Sequence, residues 1–330
     1  MLKEIQISVV VSAYNSEKTI VEALSSIPLH DKRVEAIVVN DGSTDGTRDK
    51  ILSFANEYPH FNLFLINTVN LGSASARNTG LLAATGKWIA FLDSDDKFKA
   101  STLTSFLNEF ASLGTIDALR YSYFTASGEL NTGQFGGANK DLLREKGYWR
   151  FIFRKDFLTQ NLISFSPSFE QAKGFYVLDD WYFLLMFCSS TPKVLGHNEV
   201  LYYYNDFQRS ESDEISRYAS QVERESHALA VFAESEFFRT SNNRGFVLER
   251  LYERYRMIAI LLKPSISFNG KTRLLSVFLM LIVRTRKCEA SYYLPRLAKL
   301  FLQVIFVHFA RRCASIAKSL KVEIQGKSLE

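Results

Sequence analysis

Cysteine is scarce and scattered: Cys188, Cys288 and Cys313 lie far apart among 330 residues. They have neither the even count of a disulfide framework nor the close spacing of a metal cluster, which suits a reducing cytoplasm. Bilayer-spanning runs are lacking too. The long apolar stretches, Leu274 to Val283 and Leu300 to Ala310, fall short of the ~20 residues needed to cross a membrane. No signal-peptide pattern opens the chain, since Met1 to Gln6 include Lys3 and Glu4 and run directly into an apolar strand. There is no G-x-x-x-x-G-K-[ST], and no G-x-G-x-x-G follows the first strand, which removes the P-loop and dinucleotide fingerprints. No nucleic-acid-binding motif is recognisable, and the chain is not expected to bind nucleic acid. Nor is this a disordered chain, because 47% of it is apolar and only 23% charged.

What is present is a repeated strand–helix alternation. Ile7 to Val11 reads as a buried strand ending in Ser12-Ala13-Tyr14-Asn15, with Ser16 placed to cap a helix whose apolar positions are Ile20, Ala23, Leu24 and Ile27, before Pro28 stops it. Val34 to Val39 is a second strand, followed by the polar cluster Asn40 to Gly46 and a helix from Thr47 to about Tyr58. A third strand, Asn62 to Ile66, turns through Asn70-Leu71-Gly72-Ser73 into a helix, Ala74 to Ala84, that carries Arg77. The fourth strand runs from Trp88 into Asp93-Ser94-Asp95-Asp96. This pattern predicts an α/β domain, a mostly parallel twisted sheet with helices on both faces.

Open α/β sheets bind ligands at the carboxyl ends of their strands. Three polar clusters fall on that edge: Ala13 to Asn15, Asp41 to Ser43, and Asp93 to Asp95. An isolated Asp-Ser-Asp would read as a solvated turn. Beside the other two clusters it suits a nucleoside diphosphate, with Asp41 for the base, Asp93 for the ribose, Asp95 for a divalent ion bridging phosphates and Arg77 for added positive charge.

Taken together, Ser8 to Asn15, Val38 to Thr47, Asn70 to Gly80 and Phe91 to Asp96 resemble, in order and spacing, the inverting family 2 glycosyltransferases of the GT-A (Rossmann-like) fold, across about residues 5 to 210. One departure is Ser12, where the family usually has proline. The resemblance implies transfer of a sugar from a UDP-sugar in bacterial surface polysaccharide synthesis such as O-antigen or capsule. It implies that Ala13, Tyr14, Asn15, Asp41, Arg77, Asp93 and Ser94 form the donor site and that Asp95 ligates Mn²⁺ or Mg²⁺.

The second half resembles the acceptor side of the same family. Tyr148 to Leu158 carries aromatic residues at 149, 151, 153 and 157 that read as core. Val177 to Phe183 matches the family's paired acids before an aromatic residue, which implies that Asp180 is the general base, with Asp179 supporting it. A single in-line displacement needs such a group to take the acceptor proton. The same two acids also suit the N-terminus of a helix beginning near Trp181, and both roles are compatible. Trp181, Tyr204 and Arg209 are candidate acceptor or diphosphate contacts. Asn205 and Phe207 depart from the family's Arg and His in this stretch, and the lone His197 reads as structural or solvated.

Charge divides the chain. From Lys263 onward there are 13 Lys or Arg and 3 acidic residues, whereas the first 262 residues hold 27 basic and 32 acidic groups. We expect a catalytic domain over residues 1–212, its donor half about 1–100 and its acceptor half about 100–212, followed by a basic helical region, 213–330. That region suits helices lying on an anionic cytoplasmic leaflet, and equally suits packing on the domain or on a second subunit. The function expected is transfer of a hexosyl or N-acetylhexosaminyl group to a glycan acceptor, lipid-linked, by a protein peripheral at the inner face of the cell membrane. The alternative is a catalytically inactive nucleotide-sugar-binding scaffold of a polysaccharide assembly complex.

Overall fold

A computed structural model describes residues 4–109, 115–133, 147–165 and 179–205, with residues 179–181 described for the backbone alone. Its first strand, β1 (Ile7–Ala13), is the hub. It pairs in parallel with β2 (Val34–Asp41) on one side and β4 (Trp88–Asp93) on the other, and β3 (Asn62–Thr68) pairs with β2. All eight residues of β2 are buried, as expected of a parallel strand covered on both faces. Strands β1 to β3 each extend two residues further than their apolar runs suggest. Polar Ser12, Asn40 and Asn67 continue the ladder, because backbone pairing does not depend on side-chain hydropathy.

Helices α1 (Ile20–Ser25), α2 (Thr47–Glu57) and α3 (Ser73–Ala83) connect these strands. Each apolar position expected of the first helix is buried: Ile20, Ala23, Leu24 and Ile27. The helix is nevertheless short, and Ser16 is not its side-chain cap. Thr19 occupies the cap position, and the Ser16 hydroxyl instead meets Ser94 at 2.7 Å. Helix α3 packs Ala76 against Ile37 and Val39 of β2. Its Gly80 lies so close to Val10 that any side chain there would collide.

After β4 come β5 (Lys97–Phe98), α4 (Ala100–Glu109), β6 (Ala118–Thr125) and β7 (Leu130–Asn131). A 3-10 turn (Tyr148–Arg150) leads into β8 (Phe151–Arg154), followed by α5 (Lys155–Gln160), α6 (Asp179–Ser189) and β9 (Val194–Tyr204). The strand order is β3-β2-β1-β4-β8-β6-β9-β5, with β7 alongside β6. The four parallel strands thus continue into a mixed half, where β8 runs antiparallel to both β4 and β6. The fold is the expected α/β class. All described residues fall within one compact unit, Met1–Gln208. None of the described helices is long and apolar enough to cross a membrane.

The two halves share an aromatic core centred on Phe91 of β4. Tyr148, Phe153, Phe165 and Phe183 surround its ring at centroid distances of 5.2, 6.2, 5.2 and 5.9 Å, all edge to face. Such pairs each add ~0.5–1.5 kcal/mol beyond their area burial. Of the four aromatic side chains read as core in the 148–158 stretch, Trp149, Phe151 and Phe153 are buried and Phe157 half-buried. This cluster lies two residues before Asp93, so packing of the second half fixes the end of the strand that bears the acids.

Candidate active site

The loops after β1 and β2 form one mouth. Asn15, at φ 49°, accepts from the backbone N–H of Thr44 through Oδ1 and donates its own N–H to the Ser43 hydroxyl. Ser16 N–H donates to Thr47, and the Gly46 N–H donates to Glu17. Ala13 is buried at the end of β1, while Tyr14 stands half exposed at the rim. Asp41 is only 3% exposed. One of its oxygens accepts from the Thr68 hydroxyl and Leu71 N–H, the other from Gly72 N–H, so this carboxylate holds the turn from β3 into α3. That turn passes so near β2 that a Cβ on Gly42 would lie 2.6 Å from the backbone nitrogen of Asn70.

Beyond β4 the chain makes a tight turn in which Asp96 N–H donates to the Asp93 carbonyl. It bears three carboxylates, and the surroundings sort them. Asp93 accepts from Arg77 Nη2 at 3.2 Å and from the Tyr148 hydroxyl at 2.9 Å. Arg77 is fixed in turn, its guanidinium carbon 4.6 Å from the Tyr148 ring centroid and 5.5 Å from that of Phe165. Asp96 is buried and accepts from the Tyr202 hydroxyl and the Asn205 N–H, both at 2.7 Å. Burial, and then the charge of Asp93, push its pKa up to about 7 against the effect of those two donors. Asp95 is left facing solvent. The protein around it still desolvates the carboxyl enough to raise its pKa, with Asp93 adding repulsion, and only its own backbone N–H opposes this.

A hard cation fits Asp95. Among the described residues no group of three His, Cys, Asp or Glu could enclose an ion. One open carboxylate whose neighbours disfavour its charge suits an ion shared with phosphate oxygens and water, the usual manner of Mg²⁺. Ser94 joins this turn to the first mouth through Ser16. Ala13, Tyr14, Asn15, Asp41, Asp93, Ser94 and Asp95 thus belong to three neighbouring strand ends on one sheet edge, which Arg77 reaches from α3 through Asp93.

Asp179 and Asp180 open α6. One turn further along that helix, Phe183 stacks on Phe165 at 4.4 Å and meets Tyr148 at 6.3 Å. These are the two rings that flank Arg77. The side chains of Asp179, Asp180 and Trp181 lie outside the described residues, as do Arg209, Phe207 and the whole basic region 213–330. Tyr204 stacks on Trp149 at 5.0 Å with the rings 6° apart. His197 packs edge-on against Phe106 at 4.7 Å, with Nε2 3.8 Å from Glu109. Sequence reading assigned no role to Tyr148 or Tyr202: each ring is buried, but each hydroxyl reaches the acidic turn.

Comparison with known proteins points the same way. The model of the family described as Glycosyl transferase family 2 matches residues 8–171. The Escherichia coli UDP-Glc:alpha-D-GlcNAc-diphosphoundecaprenol beta-1,3-glucosyltransferase WfgD is 40% identical over 98 residues, 29% of this chain and 38% of that protein. Glycosyltransferase GlyA of Streptococcus pneumoniae is 30% identical over 275 residues, 78% of this chain and 38% of its own length. The chain thus spans well under half the length of these curated relatives. Among solved structures, Staphylococcus aureus TarS 1-349 in complex with UDP-GlcNAc superposes with a TM-score of 0.65 at 19% identity, covering 91% of this chain and 88% of that one.

Proposed function

The chain belongs to glycosyl transferase family 2 through residues 8–171, and we propose that it is an inverting glycosyltransferase using a UDP-sugar as donor. The observation that carries this reading is the sorting of three adjacent carboxylates. Asp93 and Asp96 are held by protein donors, and Asp95 alone is left open at the carboxyl end of β4. In this reading Ala13, Tyr14 and Asn15 border the base, and Asp41 shapes the base pocket through the turn it holds. Asp93 contacts the ribose or donor sugar, with Ser94 beside it. Asp95 would hold Mn²⁺ or Mg²⁺, which when bound would offset charge on the departing diphosphate.

The acceptor hydroxyl oxygen attacks the anomeric carbon from the face opposite the diphosphate. Its proton passes to Asp180 as the bond to the diphosphate oxygen breaks, which inverts the anomeric configuration and releases UDP. Asp179 raises the basicity of Asp180 by like charge. Trp181, Tyr204 and Arg209 contribute to the acceptor or diphosphate side. The sugar moved is of hexosyl or N-acetylhexosaminyl type, and the acceptor is a glycan hydroxyl, lipid-linked, in surface polysaccharide synthesis at the inner face of the membrane. The diphosphoundecaprenol acceptor in the name of the E. coli relative supports that choice.

The test is UDP-sugar hydrolysis and transfer by the full chain with Mn²⁺. Asp95→Ala is expected to lose the metal-stimulated rate, and an undiminished rate would remove Asp95 from the metal site. Asp180→Asn is expected to bind UDP normally while transfer falls ~10²–10⁴-fold, the usual range for a general base. A wild type that binds UDP yet transfers from no donor to any acceptor supports the scaffold alternative instead.

A further inference from the structure

The acidic turn is gripped at both ends by one hydroxyl from a distant strand. Tyr202 lies on β9, wholly buried, paired with Phe98 of β5 just after the turn. Its oxygen donates to Asp96 at 2.7 Å and accepts from the Asp93 N–H at 3.2 Å, so it bridges the first and last residues of the turn whose apex includes Asp95. Three residues further on, just past the end of that strand, Asn205 N–H donates to the other Asp96 oxygen at 2.7 Å. The ring of Tyr202 is immobilised separately, stacked on Trp149 at 4.6 Å and set edge-on to Phe98 at 5.5 Å. The hydroxyl position is therefore dictated by aromatic packing and not by the turn. Buried polar groups left without partners are costly, so the turn follows the hydroxyl.

Resting on the donor-site reading above, we propose that Tyr202 is a positioning residue. By bridging Asp93 and Asp96 it sets the backbone path that presents Asp95, so the affinity of the site for a cation shared with a nucleoside diphosphate depends on a hydroxyl that touches neither. Asp96 is the anchor of this arrangement and not a ligand. Outer partners that fix a ligating carboxylate have large effects without contacting the ion.

Tyr202→Phe removes one oxygen and retains the ring contacts. The measurement is UDP affinity of the full chain by calorimetry, with Mn²⁺ and with EDTA, alongside circular dichroism and thermal melting. Wild type is expected to bind UDP more tightly with Mn²⁺. Tyr202→Phe is expected to weaken Mn²⁺-supported binding by ~10–100-fold while affinity in EDTA stays within about twofold. A variant that melts earlier but keeps the full Mn²⁺ gain shows a purely structural tie and overturns the proposal. Should Tyr202→Phe fail to fold, Asn205→Pro decides: it deletes the second donor to Asp96 with no change of charge, and the residue before it is already extended, as proline requires. It is expected to reduce the Mn²⁺ gain in the same direction, and an unchanged gain overturns the proposal. A wild type with no Mn²⁺ gain at all overturns instead the placement of a cation at Asp95, a failure visible without any variant.

Discussion

Asp93, Asp95 and Asp96 share one functional group, and the fold gives them three different surroundings. Asp96 gives a pH signature. Its folded value, about 7, lies above the ordinary 3.8, so it favours the folded state most below about pH 4 and loses that contribution as pH climbs to about 7. Asp96→Asn should therefore be least favourable relative to wild type at about pH 4 and gain on it toward about pH 8, read by urea unfolding in metal-free buffer. Arg77→Lys supplies a second check. A lysine keeps the charge facing Asp93 but lacks the plane lying over Tyr148 and Phe165, and unfolding should show a loss of about 1–2 kcal/mol. The acids themselves were legible in the sequence, because a buried strand discharging into three carboxylates is conspicuous. Their sorting was not, since the deciding hydroxyls lie 55 and 106 positions away and belong to residues that look like ordinary core.

At the scale of elements, the side-chain amide of Asn78 ties α3 to the acceptor half through both its nitrogen and its oxygen. Asn78 donates to the Phe165 carbonyl at 2.8 Å and accepts from the Phe165 N–H at 2.9 Å. Phe165 in turn flanks Arg77, so this clasp aligns the helix that bears the cation with the segment that covers it. Asn78→Ala should cost about 1–3 kcal/mol in chemical unfolding, the range for losing two hydrogen bonds and leaving a half-buried backbone pair short of partners. Helices α2 and α3 and strands β1 to β4 were readable from periodicity, because each is decided locally. The antiparallel insertion of β8 between β4 and β6 was not, since pairing partners separated by tens of residues leave no local pattern. Ser16 failed as a predicted cap for the same reason: its hydroxyl is drawn to Ser94, 78 residues away.

At the scale of the whole molecule, charge separates a mildly acidic part, residues 1–262 with 27 basic and 32 acidic groups, from a basic end. The 13 cationic residues from Lys263 onward are expected to bring the full chain onto anionic vesicles. Co-sedimentation should be reversed by salt, because exposed charges are screened over ~3 Å at 1 M ionic strength. Retention on neutral vesicles, or none on anionic ones, would leave the packing alternative for this region. The hydroxyl bridge from β9 bears also on the order in which the protein is made. The turn at residues 93–96 leaves the ribosome early, but its clamps are separated from Asp96 by 106 and 109 positions. Long-range contacts of that kind close late in folding. A nascent chain that has completed its first four strands already carries the acids and Arg77 and still lacks the strand that sets the turn, so the metal-supported donor binding proposed above is expected only once synthesis passes Asn205.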